Sequence, residues 1–129
     1  MKRRLIVTIG LIAVLGVLTV SSSAAPTSRR AIINFEKAVK SDGELTFTFT
    51  AEGRDPVEIL VKATKGVRKS SVASQFHRQL QGELSGTEYK MKMNTENQVL
   101  LEKKGNGAMF DLTLDNQTVD GLVVSIKLK

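Results

Sequence analysis

The chain has 129 residues, with 19 Lys and Arg against 13 Asp and Glu, one histidine, and neither cysteine nor tryptophan. Lacking thiols, it has no disulfide, thiolate metal site, cysteine nucleophile or acylated-cysteine anchor. One histidine excludes histidine-rich zinc sites, and the sequence holds no glycine-rich phosphate loop or nucleophile elbow, so neither a metal nor a cofactor is expected.

Residues 1–24 have the three parts of a secretory leader. Lys2, Arg3 and Arg4 form a cationic start, and the run from Leu5 to Val20 is apolar except at Thr8, Gly10, Gly16 and Thr19. Ser22, Ser23 and Ala24 then supply the small residues that a signal peptidase accepts. The apolar run is shorter than the roughly 18–20 residues that span a bilayer, so a cleaved leader is expected, with no transmembrane span after its removal. Cleavage is expected after Ala24, because a cut after Ala25 would put Pro26 directly behind the scissile bond. Arg3-Arg4 leaves a twin-arginine route open beside the general one. The expected location is secreted or periplasmic. Three of the 19 cations leave with the leader and no acid does, so 16 face 13 and the net charge falls to +3. A nucleic-acid binder carries a denser basic stripe with interleaved aromatics, so no nucleic-acid partner is expected.

Residues 25–129 suffice for a single α+β domain with one core. Ala31, Ile32, Phe35, Ala38 and Val39 fall on one stripe of a 3.6-residue period. Thr27 or Ser28 can cap this segment, Lys37 and Lys40 suit the dipole of a last turn, and Gly43 ends it. A helix is expected over 28–41.

The period then switches to two. Leu45, Phe47 and Phe49 alternate with Thr46, Thr48 and Thr50; after the turn Gly53-Arg54-Asp55-Pro56, Val57, Ile59, Val61 and Ala63 alternate with Glu58, Lys62 and Thr64. From Gly66 to Gly82 the pattern is ambiguous, because Val72, Phe76 and Leu80 are four apart and suit both periods. Ala73 and the glutamines favour a helix over 71–81, capped by Ser70 or Ser71; an extra strand is the other reading. Alternation returns in Tyr89, Met91 and Met93, in the short run Val99 to Leu101, in Ala108, Phe110, Leu112 and Leu114, and in Leu122, Val124, Ile126 and Leu128. Such segments are half-buried antiparallel strands. The expected fold is α+β, an antiparallel sheet of five to seven strands packed on the N-terminal helix; the alternative is a β-sandwich with that helix at its periphery.

His77 is a candidate general base, since its pKa lies near neutrality. Its neighbours Gln75, Arg78 and Gln79 supply no acid or hydroxyl partner, so a surface position is expected. Asp111 and Asp115, four apart on one strand, share a side and could hold calcium or act as an acid–base pair. Nothing around them resembles a calcium loop, so a solvated face is expected. Lys62, Lys65, Arg68 and Lys69 are the densest basic cluster, with Lys90, Lys92, Lys103 and Lys104 as a second group. If their strands adjoin, the lysines form a patch for an anionic glycan, an envelope polymer or membrane phosphates. The plainer reading is solubility and edge protection.

Gln117-Thr118-Val119-Asp120-Gly121 matches the Gln-x-Val-x-Gly pattern. In these five residues the chain resembles the cystatins, whose members inhibit papain-like proteases by inserting a hairpin loop into the active-site cleft. The resemblance implies binding roles for Gln117, Val119 and Gly121. It departs from the family in placing the loop on the last hairpin rather than an early one, in lacking tryptophan for the second loop, and in having no mature-chain glycine before Gly43. Asn116-Gln117-Thr118 is also a glycosylation sequon, and a glycan there would crowd an inhibitory loop.

The leading expectation is an exported, small, non-catalytic binding or envelope-associated domain, contacting an anionic polymer or a protein partner. A cysteine-protease inhibitor of cystatin type using 117–121 stands second, and a small secreted enzyme third.

Overall fold

The computed structural model describes residues 25–129, and the leader expected over 1–24 lies outside the described residues. In chain order the elements are β1 (Arg30–Glu36), β2 (Gly43–Ala51), β3 (Val57–Ala63), α1 (Lys69–Glu83), β4 (Tyr89–Thr95), β5 (Gln98–Lys103), β6 (Phe110–Gln117) and β7 (Val123–Leu128). The architecture is mixed α+β and mostly antiparallel, in two sheets rather than one. One sheet has the order β4-β5-β1-β7 and the other β3-β2-β6.

The helix expected over 28–41 is instead strand β1, the inner strand between β5 and β7. Ala31, Ile33 and Phe35 are each fully buried, while Ile32 and Asn34 lie half-buried on the opposite face. A helical stripe leaves Ile33 out, whereas a strand buries it. The adjacent β-branched Ile32 and Ile33 favour extended backbone. Lys37 then takes a left-handed φ of 69°, which ends the strand. Val39, which also fitted the helical stripe, is buried in the connection, where its carbonyl accepts the Gly66 amide at 3.0 Å. The helix of this fold is mid-chain, where the 71–81 reading expected one.

The two sheets face each other across aromatic contacts. Phe35 of β1, Phe47 of β2 and Phe76 of α1 form one trio, with centroids 6.4, 5.6 and 4.4 Å apart. Phe49 of β2, Tyr89 of β4 and Phe110 of β6 form another, at 5.2, 5.3 and 5.8 Å. These six are all the aromatic residues of the chain, and every one is buried.

Helix α1 fills the side where β3 and β4, both edge strands, do not pair. Val72, Ala73, Phe76 and Leu80 face the core. Gln75 and His77, two residues apart, point to opposite flanks. The Gln75 Oε1 accepts the Lys62 amide of β3 at 2.8 Å, and the His77 ring nitrogen Nε2 meets the Met91 carbonyl of β4 at 3.1 Å. Each side chain thereby satisfies backbone that an edge strand would leave open. On β6, the Asp111 carboxylate accepts the Leu112 amide at 3.0 Å.

Candidate anion-binding surface

At one end of the four-stranded sheet, antiparallel register sets Arg30 of β1 opposite Glu102 of β5. The Lys129 carbonyl oxygen accepts the amides of Arg29 at 2.6 Å and Arg30 at 3.1 Å, and the Lys103 amide donates to the Arg29 carbonyl at 2.9 Å. The following turn is held close as well: the Lys104 amide donates to the Glu88 carbonyl at 2.7 Å, and a side chain at Gly107 would collide with that same carbonyl. These backbone bonds gather residues distant in sequence around a cleft of about 490 Å³, lined by Arg29, Arg30, Glu102, Lys103, Lys104, Gly105 and Lys129.

Five of those residues are cations and one is an acid. The Arg30 guanidinium donates to Glu102 Oε2 at 2.7 and 3.2 Å. That bond, then the Arg30 charge, then the more distant Lys90 and Lys92, hold the Glu102 carboxyl below its ordinary range, against a smaller opposing effect of burial. The Lys104 Nζ donates to the Gly86 carbonyl at 2.5 Å and the Lys103 Nζ to the Lys104 carbonyl at 3.1 Å. Carbonyls fix these ammonium groups without cancelling their charge, so the cleft carries a net positive charge. A free α-carboxylate at Lys129 would still leave the cations in excess.

The cleft was half legible. Lys103 and Lys104 stand out in sequence as part of a basic group, but Arg29, Arg30 and Lys129 join them only through strand register. The other cluster is less concentrated. Lys62 lies on the outward side of β3, lining a smaller groove of about 260 Å³ with Leu60, Gln75 and Gln79. The Lys65 amide donates to Asp42, Arg68 occupies the N-cap of α1, and the Lys69 Nζ lies 3.8 Å from Glu36 Oε1.

Gln117, Val119 and Gly121 do come together, as a turn folded onto the body. Gln117 Nε2 donates to the carbonyls of Val119 at 3.0 Å and Leu122 at 2.8 Å, and Val119 is 3% exposed. The turn is tied to the β1–β2 connection by Asp120 amide to Ser41 Oγ, 2.9 Å, and Lys40 amide to Asp120 carbonyl, 2.8 Å. Gly121, at φ 89°, presses against the Ala38 carbonyl, where a Cβ would clash. In this geometry Gln117 and Val119 are turned to structural contacts rather than outward.

Asp111 and Asp115 are also engaged: Asp115 accepts from Thr48 and, at 2.8 Å, from Thr113. Among the described residues there is no cluster of three or more potential metal ligands, and no polar or charged residue is buried. With all aromatics in the core, the surface offers no ring for a sugar or base to stack on. The cleft presents charged and hydrogen-bonding groups. In comparisons with known proteins, no family model, curated protein or solved structure matches the chain.

Proposed function

We propose that this chain is an exported, non-catalytic binding domain that grips an anionic envelope polymer in the Arg29–Arg30–Lys103–Lys104–Lys129 cleft. The observation that carries the reading is the excess of cations over the single acid, Glu102, in a cavity large enough for several polymer charges. The leader pattern of residues 1–24 supports export to the compartment where such polymers lie.

Retention on an immobilised anionic polymer, such as heparin, tests it. Retention should fall steeply with salt, because charges at the surface are screened over about 8 Å at physiological ionic strength. The double variant Arg29→Ser, Lys104→Ser should elute well before wild type, with a melting temperature nearly unchanged, since exposed charge pairs contribute about 0–1 kcal/mol. If retention instead survives that variant and is lost when Lys62, Lys65, Arg68 and Lys69 become Ser, the site lies on the β3–α1 side. A wild-type protein that fails to bind at low salt removes the polymer reading.

A further inference from the structure

The outward face of the four-stranded sheet carries a second arrangement, adjacent to the cleft. Pairing across β7, β1, β5 and β4 aligns Lys127, Ile32, Leu100 and Lys92 in one row. The next row aligns Arg30, Glu102 and Lys90. Two half-buried aliphatic side chains therefore sit at the centre, with a lysine at each end, three strand spacings or about 14 Å apart. Val123, 47% exposed, stands on the same face opposite Glu36, beyond the polar row of Ser125, Asn34 and Gln98.

The opposite sheet has the reverse charge. On its outward face lie Glu44, Glu58, Asp111 and Asp115, with Lys62 as the cation among them and threonines between. Four cations against Glu36 and Glu102 on one face, and four acids against one cation on the other, give the molecule a direction in an external field. A polymer chain is best held by a groove or a line of charges. An open sheet face with cations around an apolar centre is complementary to an extended anionic surface, where lysines reach phosphates and aliphatic groups rest at headgroup level.

We propose that the outward face of β4-β5-β1-β7 docks on an anionic phospholipid bilayer, with the acidic sheet turned away. Among the described residues no helix is long and apolar enough to cross a membrane, and the docking is peripheral. The proposal shares the basic end of the molecule with the polymer reading but rests on different residues, Lys92, Lys127, Ile32 and Leu100.

Sedimentation with phosphatidylcholine vesicles, with and without phosphatidylglycerol, tests it. The protein should bind only the phosphatidylglycerol vesicles. Lys92→Ser with Lys127→Ser should weaken that binding about thirtyfold, from about 1 kcal/mol per basic residue near an anionic membrane. The same variant should leave heparin retention close to wild type, whereas Arg29→Ser, Lys104→Ser should do more harm to heparin than to vesicle binding. Leu100→Trp supplies the chain's only indole. Its emission should shift to the blue on phosphatidylglycerol vesicles and stay put with soluble heparin. Vesicle binding unaffected by the two serines, an indole that responds to heparin alone, or salt-sensitive self-association with no vesicle binding would each overturn the proposal; the last would make a second copy's acidic sheet the partner.

Discussion

Glu102 is where the electrostatics of the basic end converge. Its carboxyl is held below the ordinary carboxylate range first by the Arg30 hydrogen bond and then by the Arg30 charge, with Lys90 and Lys92 adding less. A depressed folded value means that the favourable interaction is complete above the unfolded value and disappears as pH falls through the folded one. At neutral pH the pair is formed, and Glu102 subtracts one charge from the cleft. Acidification past its lowered midpoint removes that subtraction and should strengthen anion binding. Replacing Arg30 with Ala should move the Glu102 midpoint up toward the ordinary glutamate range, read by a carbon-detected NMR titration of the side chain. A midpoint that does not move would mean that Arg30 is not what lowers it. Each cation removed from the cleft, such as Arg29 or Lys104, should act on binding rather than on folding, because both are exposed.

The elements differ in how far sequence alone defines them. Strands β2, β3, β4, β6 and β7 are legible because each alternates a drier with a wetter face, so period two is written in residues such as Phe47, Ile59 and Leu112. β1 is illegible for the opposite reason: as an inner strand it carries Ile32 outward as well as Ile33 inward, and that doubling mimics a helical stripe. The α1 segment is helical, but it is no peripheral addition. Phe76 is fully buried between Phe35 and Phe47, and Gln75 and His77 close two sheet edges. The lone histidine thus has a structural task, which its polar neighbours in sequence do not disclose. Phe35→Ala and Phe76→Ala should each cost about 3–5 kcal/mol in urea melts, the usual range for emptying a buried aromatic site. Their sum should overestimate the double variant, since the rings touch and share one cavity. A Phe76→Ala loss below about 1 kcal/mol, the scale of a surface change, would show that α1 is not part of the core.

At the scale of the molecule, the chain places all six of its Phe and Tyr residues in the core and sorts its charges between two sheet faces. The basic end draws on residues from both ends of the described chain, Arg29 with Arg30 and Lys129, brought together by antiparallel pairing. A reading by sequence neighbours finds the compact run at Lys62–Lys69 and the Lys103–Lys104 part of this assembly but not Arg29, Arg30 and Lys129, because cross-strand proximity is absent from linear spacing. The cystatin-like pentapeptide has the converse history: conspicuous in sequence, it lies folded in the structure, with Val119 buried and Gln117 bonded to its own turn. Amide chemical-shift mapping of the isotope-labelled protein, titrated with soluble polyphosphate, tests the composite anion-binding cleft most directly. Salt-reversible shifts should be greatest at Arg29, Arg30, Lys103, Lys104 and Lys129. Shifts centred on Lys62 to Lys69 or on Gln117 to Gly121, or none at all, would contradict it.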